Sequence, residues 1–228
     1  MNANTIVVRR EVNEKQKIDA DELRQTFAER GTLVVNLVSS PGAGKTALLE
    51  ATAKAMGDRL RMAVLVGDLE TDRDAQRLQP LMPTVQLTTG GACHLELPLV
   101  RRGLAALGDQ PVDILFIENV GNLVCPASFD LAEHVRVVLV STTEGDDKPG
   151  KYPKIIRTSH AMVVSKTDLL PHVPFSVDSV IADAERIQPE LTFHKVSAID
   201  GTGVEEWCRF LTEKHRALTV DVREVECS

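Results

Sequence analysis

The stretch Ser39-Ser40-Pro41-Gly42-Ala43-Gly44-Lys45-Thr46 stands between an apolar run at 33–38 and a helical pattern at 46–56. A glycine-rich turn between a strand and a helix is the setting in which a loop binds phosphate. Its glycines let backbone N–H groups converge, the helix N-terminus adds partial positive charge, a lysine neutralises phosphate oxygens and a hydroxyl ligates magnesium. Gly42, Ala43, Gly44, Lys45, Thr46 and Ala47 are therefore the expected phosphate contacts, with Lys45 and Thr46 in the catalytic roles. The general pattern has Gly where this chain has Ser39. A helix-capping loop of small residues is the competing reading, and the flanking strand and helix disfavour it.

Outward from this loop the same alternation continues. Short aliphatic runs at 62–66, 84–87, 114–117, 135–140, 161–164 and 191–196 read as strands, and helical spacing fills 74–82, 94–107, 177–188 and 204–215. Nearly continuous apolar strands separated by helices predict an α/β fold, a mostly parallel sheet with helices on both faces and ligands beyond the carboxyl ends of the strands. Leu23 and Phe27 give 19–30 helical spacing up to Gly31, so 1–31 reads as an N-terminal helical arm, 32–217 as the P-loop domain, and 218–228 as an edge strand or loose tail.

Composition narrows the function. The chain has 228 residues, 43% apolar and 26% charged, an ordinary soluble mixture. Its 33 acidic against 26 basic residues give a net charge of -7, which disfavours nucleic acid and anionic membrane as partners. The apolar run at 5–8 is too short for a signal-peptide core and no stretch reaches membrane-spanning length, so a cytoplasmic location is expected. Four cysteines are too few for a disulfide scaffold and read as thiols or metal ligands.

Two carboxylates fall where strands should end, Asp68 after Val66-Gly67 and Glu118 after Phe116-Ile117. Both are candidate magnesium ligands beside Thr46; the alternative for each is a solvated strand-end acid. Glu118-Asn119-Val120-Gly121 imitates the acid-x-x-Gly turn that senses a terminal phosphate, but Asn122 stands where a water-orienting Gln would follow, so intrinsic hydrolysis should be slow. Ser165-Lys166-Thr167-Asp168 is close to the Asn-Lys-x-Asp guanine signature: the Asp168 carboxylate can accept from guanine N1 and N2, and the Lys166 stem can cover the ring. Ser165 lacks the amide that braces such a loop, while Ser197-Ala198 sits where the accessory loop of guanine sites is expected. An Asp helix cap is the competing reading.

Cys93-His94 and Cys125-Pro126 offer thiolates and an imidazole, which suit zinc or nickel rather than magnesium. Adjacent residues diverge on a regular helix or strand, and three ligands underfill a four-coordinate ion. Pooling ligands across a symmetric dimer would answer both points; separately, a lone Cys or His is usually core or surface. Cys208, between Trp207 and Phe210, reads as core, and His134, His160, His172, His194 and His215 lack ligand spacing. Cys227 has no readable role.

Taken together, Ser-Ser-Pro-Gly-Ala-Gly-Lys-Thr, Gly67-Asp68-Leu69-Glu70-Thr71, Gly90-Gly91-Ala92-Cys93-His94-Leu95-Glu96, the run from Glu118 to Pro126, and the run from Thr143 to Pro149 resemble the hydrogenase nickel-incorporation GTPases, the HypB family. The likeness runs from about residue 33 to about residue 210. It implies a P-loop GTPase of the nickel-insertase type: a GTP-dependent homodimer that helps deliver nickel to the large subunit of [NiFe]-hydrogenase with a second nickel-binding accessory protein. It further implies nickel or zinc ligation by Cys93, His94 and Cys125, magnesium ligation by Thr46 and Asp68, and a role for Lys148 near GTP or GDP at the dimer interface. Ser165 departs from that family's guanine motif, and the N-terminus has neither a cysteine-rich nor a histidine-rich metal motif. Three rivals differ in specific residues. A urease nickel-insertion GTPase would carry Cys-Pro-His in place of Cys93-His94, a small-molecule kinase would have an Arg-rich lid, and a metal-binding module with a vestigial nucleotide site would not keep Lys45, Thr46 and Asp168.

Overall fold

The computed structural model describes residues 3–226, with side chains over 14–220. Seven strands form one sheet: β1 (Leu33–Ser39), β2 (Met62–Asp68), β3 (Thr84–Thr88), β4 (Ile114–Glu118), β5 (Val135–Ser141), β6 (Ala161–Ser165) and β7 (Thr192–Val196). Every pairing is parallel, in the order β3-β2-β4-β1-β5-β6-β7. The helices are α1 (Ala3–Glu29), α2 (Lys45–Met56), α3 (Arg73–Leu78), α4 (Leu97–Leu107), α5 (Lys148–Lys151), α6 (Pro153–Arg157), α7 (Val177–Ile187) and α8 (Val204–Glu226).

The central strand is covered on both faces, which explains its unbroken apolar run. Val35 and Leu37 of β1 pack in one cluster with Leu48 and Leu49 of α2 and Trp207 and Leu211 of α8. Val34 faces the other way, toward Ala20 and Phe27 of α1, and Val38 joins Ile155 of α6 and Val180 of α7. The 1–31 arm thus lays part of its length on the sheet. From β1 the chain crosses to β2 on one side, and from β4 it crosses over β1 to β5 on the other. Such a reversal opens a crevice beyond the carboxyl ends of the central strands, where β1 delivers the phosphate loop.

Several segments differ from the sequence expectation. Residues 218–226 are neither strand nor tail but the last turns of α8. No Gly or Pro interrupts 204–226, and Trp207 and Leu211 anchor the first turns in the core, so the helix propagates. Cys227 lies outside the described residues. The helix expected over 94–107 begins only at Leu97, with Pro98 in its first turn, and Gly90 and Gly91 at φ 63° and 101° keep 89–96 an irregular loop. The 74–82 pattern closes earlier, at Leu78. At the N-terminus the helix covers Ala3–Glu29 rather than 19–30, although Gly31 is the stop, in the left-handed region at φ 67°. Among the described residues, no helix is long and apolar enough to cross a membrane.

Candidate nucleotide and metal site

Gly42 and Gly44 take φ of 73° and 96°, conformations open to glycine, and carry the chain from β1 into α2. The Lys45 ammonium is buried and donates to Ser39 Oγ at 3.1 Å, so the hydroxyl at the departed glycine position serves as a resting partner. Burial lowers the Lys45 pKa, and the carboxylates of Glu118, Asp74, Glu144 and Asp68 pull the other way. Thr46 Oγ1 donates to Glu118 Oε1 at 2.8 Å. Glu118 is 3% exposed, and that burial pushes its carboxyl up to about 7 against the attraction of Lys45 and the Thr46 bond. Its Oε2 is buried without a hydrogen-bond partner among the described residues, an open lone pair beside a hydroxyl, which is the oxygen chemistry magnesium takes. Asp68 ends β2, the neighbour of β4, and its Oδ1 accepts from the N–H groups of Glu70 and Thr71, each at 3.0 Å. Burial acts to raise its pKa, yet those bonds outweigh it and hold the carboxyl below its ordinary value. Ala47 is half-buried in the first turn of α2.

On the base side, β6 and β7 end together, Ser165 opposite Val196, which sets the loops at 166–168 and 197–198 side by side. Lys166 sits in the left-handed region at φ 59° and its Nζ donates to Gly42 O at 2.7 Å. The expected loss of a brace at Ser165 does not occur. Its hydroxyl donates to Ala43 O at 2.6 Å and so ties the base loop to the phosphate loop directly. Asp168 Oδ1 is buried with no partner among the described residues, an acceptor that guanine N–H groups would satisfy. Ser197 is fully buried and its Oγ accepts from Asp200 N at 3.3 Å, which shapes the turn carrying Ala198. Lys148, at the start of α5, donates to Ser40 Oγ at 3.1 Å and pairs with Glu144 at the same distance, so it rests on the phosphate loop of its own chain.

The thiols and the imidazole converge. Ligand atoms of Cys93, His94 and Cys125 lie within 4.8 Å of one another, the only such cluster among the described residues. The sulfurs of Cys93 and Cys125 are 2.8 Å apart, and His94 Nδ1 is 3.8 Å from Cys93 Sγ. The bond with Cys125 and then that with His94 lower the Cys93 thiol, while the same Cys93 bond raises Cys125. His94 stacks on Phe129 with ring centroids 3.8 Å apart and sets Nε2 3.3 Å from Glu96 Oε1, leaving Nδ1 toward the sulfurs. Adjacent side chains diverge on a regular helix or strand, but 89–96 is neither, and Cys93 and His94 turn toward the same point. One chain brings all three candidate ligand atoms together.

Glu96 stands in the sequence motif without a role of its own, although a carboxylate two residues from His94 was an available signal, and nothing local marks Phe129. Cys208 is 1% exposed, and burial raises its thiol to about 11, in keeping with a core role. His134 and His160 accept the backbone N–H groups of Val34 and Arg136, and His194 lies against Trp207 and Phe210.

Residues 33–195 match the family described as CobW/HypB/UreG, nucleotide-binding domain. The hydrogenase maturation factor HypB of Azotobacter vinelandii is 46% identical over 205 residues, covering 90% of this chain and 67% of that protein. A crystal structure of HypB from Helicobacter pylori in complex with nickel matches at 39% identity with a TM-score of 0.85, covering 89% of this chain and 96% of that one. HypB from Archaeoglobus fulgidus matches at 36% identity with a TM-score of 0.82, covering 89% and 99%. The 39–46 loop, the 165–168 loop and the Cys–His–Cys cluster lie beyond the carboxyl ends of the strands in a fold shared with these proteins, and the chain belongs to the CobW/HypB/UreG family and, within it, to the HypB hydrogenase maturation factors.

Proposed function

We propose that the chain is a GTP-hydrolysing nickel metallochaperone that assists insertion of nickel into [NiFe]-hydrogenase. The observation that carries this reading is that Cys125, which gathers with Cys93 and His94 of the 89–96 loop, lies on the same short segment as Glu118, which holds Thr46 of the phosphate loop. Nickel is cargo, taken by two sulfurs and an imidazole nitrogen with a position left for transfer. GTP is bound through the backbone of 42–47, Lys45 and the open carboxylate of Asp168. Thr46, Glu118 and Asp68 would hold magnesium, which when bound offsets charge on the phosphate oxygens. Lys45 takes up charge on the terminal phosphate as water adds to phosphorus and the bond to the bridging oxygen breaks. Asn122, at the position where a water-orienting Gln would stand, turns toward Cys93 O, so slow turnover is expected.

GTP-dependent homodimerisation, with Lys148 exchanging its Ser40 contact at the interface, would pair two such clusters across the two-fold axis. A second nickel-binding accessory protein and the hydrogenase large subunit are the proposed partners, and zinc is the competing occupant of the thiol site. Size and metal content measured with GDP and with a non-hydrolysable GTP analogue test the reading. A larger, nickel-loaded species with one nucleotide is expected. A monomer of constant metal content in both states would overturn the switch.

A further inference from the structure

Asn122 drew notice in the sequence only as the missing glutamine, yet its side chain has a defined position. Its Oδ1 accepts from Val124 N at 2.8 Å, which fixes the amide so that Nδ2 cannot point there. Nδ2 donates to the carbonyl of Cys93 at 3.3 Å. One amide therefore reaches both loops that supply sulfur, the 89–96 loop and the segment after β4. Among the described residues, the other side-chain bonds between those loops near the cluster are the contact of the sulfurs themselves and that of Asn119 Oδ1, which accepts from Leu95 N at 3.3 Å.

We propose that Asn122 is a positioning residue of the metal site, holding the Cys93 and Cys125 loops at the separation where both sulfurs reach one ion. The inference rests on the reading of Cys93, His94 and Cys125 as a nickel site and names the residue that sets its geometry. Groups that orient metal ligands from outside the coordination shell are typically worth about 10- to 100-fold in metal affinity. Asn122 is half-buried and outside the core clusters, so its exchange is compatible with folding. Its neighbour Gly121 packs on Pro41, which places the tie one residue from the phosphate loop.

The test is a nickel titration of the intact protein followed by thiolate-to-nickel charge-transfer absorbance, in wild type, Asn122→Ala and Asn122→Asp. The aspartate is nearly isosteric and keeps the acceptor for Val124 N but cannot donate to Cys93 O. Both variants should bind nickel about 10- to 100-fold more weakly and show a displaced charge-transfer band, with melting temperatures confirming the fold. Wild-type affinity and an unchanged band in both variants would overturn the inference while leaving the site standing. Loss in Asn122→Ala with full retention in Asn122→Asp would overturn it too, assigning the effect to the Val124 turn. A wild-type protein whose nickel band is absent, or survives Cys93→Ala, would instead refute the site reading on which the inference depends.

Discussion

Replacing Gly121 with alanine tests whether the phosphate loop and the metal segment move as one. A methyl group built on Gly121 would sit 2.8 Å from Pro41 Cα and 2.9 Å from Pro41 N, closer than carbon atoms approach without displacement. The obstacle is backbone rather than a flexible side-chain end, and Gly121 has no positive φ, so the penalty is purely steric. Inserting one methyl into such a contact costs about 1–3 kcal/mol. If the phosphate loop yields, GDP affinity falls by about 5- to 150-fold, since 1.4 kcal/mol is a factor of ten. If the turn yields instead, the displacement passes through Asn122 to Cys125 and nickel affinity falls. One preparation of Gly121→Ala should therefore be titrated with a fluorescent GDP analogue and with nickel. Gly150→Ala, whose added methyl meets nothing within 4 Å, is the control. Wild-type affinity for both ligands in Gly121→Ala would refute the contact as a link between the sites.

Asp168→Asn should bind GTP more weakly and gain affinity for XTP, whose C2 oxygen accepts from the new amide; equal binding of ATP and GTP by wild type would remove the guanine assignment. Cys93→Ala should abolish nickel binding, whereas Cys208→Ala should lower stability by about 1 kcal/mol and leave metal unaffected, and nickel retained in the first would refute the cluster. Burial lowers His134 to about 4, so the folded state disfavours the imidazolium that the unfolded chain forms below about 6.5. Its contribution is present above pH 6.5 and lost as pH falls through about 4, and burial lowers His160 and His194 in the same direction. The urea midpoint should drop between pH 6.5 and 4.5, less steeply in His134→Asn; identical slopes would assign the loss elsewhere.

The phosphate loop was legible because its signal is local: seven or eight residues between a strand and a helix determine where every N–H points. The metal cluster was only half legible. Cys93 and Cys125 are 32 positions apart, and what joins them is β2, which pairs with β3 on one side and β4 on the other and so brings the loop after β3 and the segment after β4 to the same end of the sheet. Register is a tertiary fact that residue spacing does not contain. Ser165 shows the converse limit: a missing amide suggested a missing brace, but the shorter hydroxyl reaches Ala43 O and ties the two loops itself. At 218–226 the alternation of Leu218, Val220 and Val222 imitated a strand, and the absence of a helix breaker after Val204 decided the matter. Asn122 was read for the glutamine it is not, since nothing local in the sequence says which way an amide turns.

Trp207 is the single tryptophan of the chain, fully buried, and its indole Nε1 donates to Thr52 Oγ1 at 3.0 Å. Thr52 belongs to α2, the helix whose first residue is Lys45. The protein consequently carries its own optical gauge: the emitting ring is fastened to the rod that begins at the phosphate loop. A rotation of α2 on nucleotide exchange alters that hydrogen bond and with it the emission maximum. His194 meets the same ring edge-on, with centroids 5.4 Å apart, so an imidazolium formed in acid would quench it. Stopped-flow emission without any added label can then time α2 after GTP is mixed in, while nickel absorbance times the cluster in the same cuvette, and the order of the two signals tells which site moves first.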